Sequence, residues 1–409
     1  MSDVTEFDGW LKDGGPAALV IRELLEPVEG PDGVIFPATY AAAEGSKQDK
    51  SKFQGGYNID IFPDRTNVCL VDSVGSQANR IEPIFAQPKY AHLVPQIVIK
   101  AGDKPINLLM AGHRAGDAIA RFAKIGEAIW DGFQALLIDR NAKLLAKVAP
   151  TSLVFGAWDS RGTQAKVARA FRSVIRAHNV RELSRSAQYN RATKYVEEGV
   201  LAEELDSGEG DKNPLSREGM KDSPACGTHG GILVDGEIRR ETTINLSAIR
   251  RLYSDGPREV GVTTSASDLE LRRYILGLSL VAATAVFDER FDLREGCQLR
   301  QKPAHKPQWK EVPYVGVDRP LPDLSDSVSL AYATACAKAF GVGESGEYAF
   351  DKAIAERWLA LKKDDQEKRR RSAPMTKQFE ESESSTVSTE NAPSAPRRRR
   401  GSASGGEGT

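Results

Sequence analysis

The sequence has few cysteines, almost no net charge and no long apolar run. Its four cysteines are Cys69, Cys226, Cys297 and Cys336. They lie far apart without a CxxC pair, which excludes a zinc motif and a secreted disulfide framework. The longest apolar stretch, Tyr274–Phe287, is too short to span a bilayer, and the N-terminal MSDVTEFDGWLKDGG lacks the apolar segment of a signal peptide. We therefore expect a cytoplasmic protein with no membrane partner.

Basic and acidic residues are present in almost equal numbers. The 409 residues include 56 basic and 57 acidic side chains, for a net charge of −1. A chain of this length can bury a substantial core and could hold more than one domain. Because the balance is neutral, a nucleic-acid surface would have to come from local clustering of cations.

Catalytic and cofactor motifs are missing. The segment LLMAGHRAGDAIARF, a predicted strand, glycine turn and helix, lacks the GxGxxG of a nucleotide-binding turn, and the chain contains no GxxxxGK[ST], HExxH or GxSxG motif. His113 and Asp117 have the spacing of an acid–base pair, but a structural or helix-capping contact is the more common use of such a pair. The remaining histidines, His92, His178, His229 and His305, are isolated. Elimination favours a binding protein without cofactor or metal over an enzyme.

Composition divides the chain into a folded part, residues 1–361, and a tail, residues 362–409. The tail combines charge runs with a Ser/Thr/Glu/Pro tract, so it is predicted to be disordered. Within the folded part, the polar composition of residues 41–56 predicts a loop. Residues 197–231 are rich in Gly, Asp, Ser and Pro, which predicts a functional insertion.

Periodicity predicts strands that alternate with helices, which favours an α/β or α+β sheet domain. Predicted strands are Tyr57–Phe62, Gln96–Lys100, Ile106–Met110 and residues 151–159. Predicted helices are the segment after Asp72, Gly116–Lys124, Glu127–Leu145 and Tyr274–Phe287.

The segment GAWDSRGTQAKVARAFRSVIRAHNV, residues 156–180, gathers five cations and one carboxylate. A helix over Thr163–Arg176 would align the cations opposite an apolar face, and a strand from about Arg172 would place alternate residues, Arg172 to His178, on one face. A solvated face usually interleaves acids to pair its cations. Their scarcity here favours an anion-binding face, and Gly162 would allow a backbone to approach closely.

Several blocks of the chain follow one another in an order that is found in a known family. The blocks are DSVGSQANRIE (72–82), AGHRAGDA (111–118), FGAWDSRGTQAKVARAFRSVIRAHNV (155–180), INLSAIRRL (244–252), LRRYILGLSLVAAT (271–284) and LREGCQL (293–299). Together they resemble the RAMP-superfamily backbone subunit of the type I-G (formerly I-U) CRISPR surveillance complex, Cascade. The resemblance covers roughly residues 15–361.

The resemblance implies an α+β fold, an RRM-like (ferredoxin-like) palm with inserted thumb and finger elements. It implies a non-catalytic subunit that binds CRISPR RNA, polymerises with further copies of itself, and presents the guide to target DNA beside other Cascade subunits. By analogy, residues 197–231 would form the thumb. A holder of arbitrary guides must read phosphate and sugar, as Arg and Lys do.

The predicted RNA-binding residues come from the basic segment and from GSQANR. They are Ser76, Gln77, Asn79, Arg80, Arg161, Gly162, Gln164, Lys166, Arg169, Arg172 and Arg176. Two alternatives stay open at this stage. One is a guide-processing RNA endonuclease that uses His113 or His178, and the other is a scaffold of the complex that binds only protein.

Overall fold

Strands and helices alternate along most of the chain, as the periodicity predicts. The computed structural model describes residues 3–257, 264–285, 291–370 and 372–377. The strands are β1 (Ala18–Pro27), β2 (Thr39–Tyr40), β3 (Gly56–Tyr57), β4 (Ile59–Ile61), β5 (Asn67–Asp72), β6 (Ile97–Ala101), β7 (Lys104–Asn107), β8 (Ala157–Trp158), β9 (Lys166–Val167), β10 (Phe171–His178), β11 (Val180–Tyr189), β12 (Ser223–Val234), β13 (Ile238–Asn245), β14 (Leu299–Gln301), β15 (Gln308–Val312), β16 (Arg319–Leu321) and β17 (Gly346–Ala349).

The α-helices are α1 (Asp8–Leu11), α2 (Val74–Ile81), α3 (Ala118–Arg121), α4 (Ile125–Ile138), α5 (Lys143–Val148), α6 (Thr151–Phe155), α7 (Pro214–Arg217), α8 (Leu246–Arg250), α9 (Ala266–Thr284), α10 (Asp326–Phe340), α11 (Lys352–Ala360) and α12 (Lys363–Arg369). Short 3₁₀ helices lie at Glu82–Ala86, Ala91–Leu93, Leu108–Met110, Arg114–Gly116, Glu203–Leu205 and Gly210–Lys212. The fold is thus mixed α+β.

One large sheet organises the molecule. Its strand order is β16-β15-β1-β13-β10-β5-β4, every neighbouring pair is antiparallel, and β14 adds to β1. Smaller sheets are β17-β6-β7, β2-β3 and β8-β9. Residues 41–55, which fall within the polar loop predicted at residues 41–56, join β2 to β3, and Gly56 is the first residue of β3.

Side-chain alternation gives the large sheet one buried face. Along β13, Ile238, Arg240, Thr242 and Ile244 are buried, while the residues between them are half-buried on the other face. Helices α2, α6 and α9 contact the sheet, and α10 packs on α9. Helix α9 is buried from Tyr274 to its C-terminus, which confirms the buried helix predicted there as far as Thr284.

A long antiparallel hairpin, β11-β12, is inserted in the sequence between strands β10 and β13 of the large sheet. Apart from Val180, β11 carries exposed or half-buried side chains. Residues 190–222 connect its two strands with turns and short helices. The insertion predicted at residues 197–231 therefore covers most of this connection and most of β12, but its start is too late, because β11 and residues 190–196 belong to the same hairpin.

Two predicted elements are wrong in type, and a third, the strand at Ile106–Met110, is wrong from Leu108 onward, where the chain forms a 3₁₀ helix. Residues 151–155 form helix α6 instead of a strand, because the chain turns into the helix at Pro150 and leaves it at Gly156, where φ is +78°. The helical alternative for residues 163–176 is also wrong. That segment is strand from Phe171, so alternate residues of β10 face opposite sides of the sheet.

The predicted disordered tail begins too early. Residues 363–369 form α12, and Met375 is buried against Phe122, Ile354 and Trp358. Burial of these apolar side chains compensates for the polar composition of the segment. Residues 378–409, including the RRRR run, lie outside the described residues.

Candidate nucleic-acid interface

A tight hairpin, residues 157–167, carries the first half of the basic segment. Strands β8 and β9 pair Ala157 with Val167 and Trp158 with Lys166. At its tip the buried Asp159 carboxylate accepts hydrogen bonds from the Thr163 amide at 2.6 Å and the Thr163 hydroxyl at 2.9 Å. Arg121 lies 3.4 Å from the same carboxylate. Asp159, the one acid of the segment, is therefore used to shape the hairpin.

Gly162 has a steric role in this tip. A Cβ at position 162 would overlap the Asp159 carboxylate, with Cγ at 2.9 Å. We therefore expect Gly162→Ala to lower the free energy of unfolding by about 1–3 kcal/mol, the usual cost of overpacking. Urea denaturation of wild type and variant measures this. Gly9→Ala is the control, since a Cβ there meets nothing within 4 Å, and equal losses in the two variants would contradict the interpretation.

Cations and an aromatic ring line the outside of the hairpin. Arg161, Lys166 and Arg169 are exposed, and the Lys166 ammonium lies 4.8 Å from the centre of the Trp158 ring, which is itself 53% exposed. Arg169 donates from Nε to the Phe155 carbonyl at 3.0 Å. Within the described ranges, none of these three cations forms an ion pair with an acid.

Two cavities adjoin Trp158 and Ser160. The first, of 690 Å³, also contacts Arg161 and Gln164, and the second, of 510 Å³, contacts Lys166 and Arg169. The pKa of Arg169 is lowered, first by partial burial and then by repulsion from Arg114 and Arg172. Cations outnumber carboxylates around these two cavities, which is the electrostatic condition for binding an anion.

A buried ion pair supports the second cavity from behind. Arg114 Nε lies 2.5 Å from the Glu82 carboxylate, and its guanidinium also donates to Asn79 Oδ1 at 3.1 Å and to the Gly156 carbonyl at 3.4 Å. Arg114 has a left-handed backbone, with φ of +53°. The pair therefore fixes the turn that holds His113 beside Lys166 and Arg169.

The Glu82–Arg114 pair makes the free energy of unfolding depend on pH. Burial raises the pKa of Glu82 from 4.5 to about 7, although Arg114 opposes the shift. Between pH 4.5 and 7 the folded state therefore holds a proton that the unfolded chain releases, so this group's contribution to stability falls as the pH rises.

We expect the stability of wild type relative to Glu82→Gln, which cannot titrate, to decrease from pH 4.5 to 7 and to level off above that. Urea denaturation of both proteins across pH 4.5–8 measures the difference. A constant difference would contradict the raised pKa.

The second half of the basic segment lies on the exposed face of the large sheet. Arg172 is exposed, and Arg176 lies 3.6 Å from Glu241, which also binds Arg22 at 3.2 Å. Arg176 is thus partly neutralised, whereas Arg172 has no ion pair in the described part of the chain. The hairpin and this sheet face meet at Arg169 and Arg172, whose charges interact.

The helix α2 is confirmed, but its polar residues are not all displayed outward. Gln77 is 1% exposed, donating to Asp72 at 2.6 Å and accepting from the Ser173 hydroxyl at 3.0 Å. Its prediction as a displayed RNA ligand is wrong because both ends of the amide are used inside the fold. Arg80 binds Asp72 at 3.3 Å and donates to the Leu293 carbonyl.

The other predicted polar residues are only partly available. Ser76 is half-buried beside Ser73, and Asn79 is exposed but holds Arg114. Gln164 lines the first cavity and donates to the Ser160 carbonyl, with φ of +67°. Gly162 is buried, and its amide donates to the Asp159 carbonyl at 3.4 Å inside the tip.

Two features were missed by the sequence analysis. Trp158 was treated as part of a buried strand, yet its ring is exposed between both cavities. Lys368 and Arg370 were assigned to the tail, yet they line the first cavity. The position of Trp158 next to a dense cation run was the available signal, because exposed aromatics beside cations are typical of single-strand binding.

The described residues do not arrange His113 and Asp117 as an acid–base pair, and they hold no metal cluster. His113 meets Asp117 through its backbone amide at 3.4 Å, while the same carboxylate caps α3, so the pair is structural. Over these residues no cluster of three His, Cys, Asp or Glu side chains has the arrangement of a metal site. No described helix has the length and apolarity needed to cross a membrane.

Comparison with known proteins was informative for the N-terminal part of the chain. A search of curated proteins finds no match. Residues 19–182, less than half of the chain, match the model of the family described as CRISPR-associated protein GSU0053 (Cas_GSU0053). The matched range runs from β1 to the start of β11 and includes the 157–167 hairpin with its cations. This match supports the assignment of the chain as a CRISPR-associated protein.

Proposed function

We propose that this protein is a non-catalytic CRISPR RNA-binding backbone subunit of a type I-G Cascade complex, which polymerises along the guide and presents it to target DNA. The observation that carries the proposal is the cation-lined hairpin, where Arg161, Lys166 and Arg169 surround an exposed Trp158 without acidic partners in the described residues. Such a surface binds phosphate whatever the base sequence.

The topology of the large sheet supports an RRM-like (ferredoxin-like) palm. Strands β15-β1-β13-β10 lie side by side and antiparallel, helices separate β1 from β10, and α9 separates β13 from β15. This is the strand order and direction of a βαββαβ unit. The hairpin β11-β12 then interrupts the central ββ connection, and it is our proposed thumb, in place of residues 197–231 alone.

The chemistry of guide holding explains the mixture of groups at the hairpin. A guide must keep its Watson–Crick edges free, so its holder contacts phosphate, sugar or the faces of bases. Stacking on an aromatic ring tolerates every base, because each base has a π-face. Cations with one exposed Trp therefore suit arbitrary guides.

Co-expression of the chain with its CRISPR array and companion subunits tests the proposal. We expect the purified complex to contain discrete guide RNAs that represent every spacer sequence of the array, with several copies of this chain for each guide. Recovery of protein without RNA would overturn the proposal and favour a protein-only scaffold. Random RNA fragments would overturn the guide-specific role.

One observation favours a second candidate, a guide-processing endonuclease. His113 is exposed and lines the same cavity as Lys166 and Arg169, where an imidazole could act as a general acid or base on RNA. Cleavage of repeat RNA by the purified chain, lost in His113→Ala, would support this function. Intact repeat RNA after prolonged incubation would exclude it.

A further inference from the structure

We infer that helix α12 and the 157–167 hairpin together form a pocket for one nucleotide of single-stranded RNA, with its phosphate between Arg161 and Arg370 and its base against Trp158. The inference rests on the proposed function and adds to it a second wall of the binding site. That wall lies outside residues 19–182, the part of the chain that matches the family.

The pocket is the first cavity described above. Its volume of 690 Å³ lies within the usual range of about 300–1,000 Å³ for small-molecule sites. One wall carries Trp158, Arg161 and Gln164, and the other carries Lys368 and Arg370. A flat aromatic ring thus shares one space with two guanidinium groups and an ammonium.

The charge of the pocket suits a phosphate. Three cations face one carboxylate, Glu367, which is 59% exposed and lies 4.0 Å from Lys363. Arg370 Nε is enclosed and has no hydrogen-bond partner in the part of the chain described. Arg370 also contributes to the lowered pKa of Arg121, behind burial and the opposing effect of Asp159. A bound anion would relieve the repulsion among these guanidinium groups.

Helix α12 is anchored on the body of the protein. Gln366 donates from Nε2 to the Trp358 carbonyl at 2.8 Å, and the Thr376 hydroxyl donates to Glu127 at 2.8 Å. Between these bonds the chain buries Met375, which is 1% exposed. The basic side chains of α12 are thereby held opposite the hairpin.

The exposed ring of Trp158 favours single-stranded RNA over duplex RNA as the ligand of this pocket. A base can stack on an exposed ring only when it leaves its own helix, and single strands provide such bases without an unpairing cost. Cations alone would bind duplex backbones equally well. The combination therefore points to a single strand.

The test compares two charge-matched double variants of the full-length chain. Lys368→Ala/Arg370→Ala removes the α12 cations, and Lys338→Ala/Lys362→Ala removes two exposed lysines that line neither cavity. Binding of a mixed-sequence single-stranded RNA is measured by fluorescence anisotropy at several salt concentrations. We expect the first variant to bind roughly tenfold more weakly, with a salt slope lower by about 0.7 for the one phosphate that the pocket holds. The control is expected to match wild type.

The outcomes separate this inference from the proposed function. Wild type that binds no RNA overturns both. Wild type and α12 variant that bind RNA equally overturn the inference alone. If the alanine variant melts at a lower temperature, Lys368→Gln/Arg370→Gln replaces it, because glutamine keeps much of the stem packing and removes the charge.

Trp158→Ala provides an independent check of the base contact. Loss of stacking is expected to weaken binding of single-stranded RNA roughly tenfold, while binding of a duplex of the same sequence stays unchanged. An equal loss for single strand and duplex would show that Trp158 only supports the hairpin, and it would overturn the nucleotide pocket.

Discussion

Replacing Arg240 by alanine is expected to lower the free energy of unfolding by about 3–5 kcal/mol, the usual cost of breaking a buried ion pair. Arg240 is 0% exposed and its Nε lies 3.1 Å from the carboxylate of Glu23, which is 1% exposed. It also donates to the Ser173 hydroxyl at 3.2 Å and to the Ala283 carbonyl at 3.0 Å. The substitution would leave the Glu23 carboxylate buried without its cation and remove the hydrogen bond to the Ala283 carbonyl, next to the C-terminus of α9.

Urea denaturation followed by circular dichroism measures the effect, and two variants control it. Arg239→Ala removes the neighbouring arginine, whose partner Glu237 is 45% exposed, and should cost less than about 1 kcal/mol. Glu23→Gln/Arg240→Met removes both charges and should recover much of the lost stability. Equal losses for Arg239→Ala and Arg240→Ala would contradict the structural role of the pair.

The triple variant Arg161→Ala/Lys166→Ala/Arg169→Ala is expected to lose RNA affinity by roughly a hundredfold, because it removes three charge-assisted contacts from one surface. Its salt slope should fall by about 2, at roughly 0.7 for each phosphate contact of a single strand. Fluorescence anisotropy with single-stranded RNA across a salt series measures both quantities.

The matched control removes three exposed lysines elsewhere, Lys338, Lys352 and Lys362. It lowers the net charge by the same amount, so a general charge effect would weaken both variants equally. Thermal melting checks the fold of the triple variant, since Arg169 also bonds the Phe155 carbonyl. Wild-type RNA binding by a folded triple variant would exclude the hairpin as the RNA surface.

Local patterns predicted those parts of the fold that depend on nearby residues. Helix α2 follows from apolar spacing and begins at Ser73, whose hydroxyl accepts a hydrogen bond from the Ser76 amide at 3.2 Å. The loop at 41–56 follows from its polar composition. Helix α6 was missed, because a short apolar run has no period of its own and the flanking Pro150 and Gly156 decided its type.

The sequence predicted that cations accumulate at the candidate site, but it did not predict which of their side chains are exposed together on one surface. Spacing along the chain indicated that Arg161, Lys166 and Arg169 are cations without nearby acids, and the structure leaves them exposed. Spacing gave no indication that Gln77 is buried against Ser173 or that Arg176 meets Glu241. Those partners lie on other strands, and strand pairing decides which of them come within reach.

The sequence by itself determined where cations accumulate, which segments are amphipathic, and which catalytic motifs the chain lacks, because each of these is a property of neighbouring residues. Tertiary structure alone decided that Trp158 is exposed beside those cations and that Lys368 and Arg370 face Arg161 across one cavity. The physical reason is that α12 is placed by apolar contacts of Met375 and by hydrogen bonds to distant residues. Such long-range packing brings together charges whose own sequence neighbourhoods predict only a solvated tail.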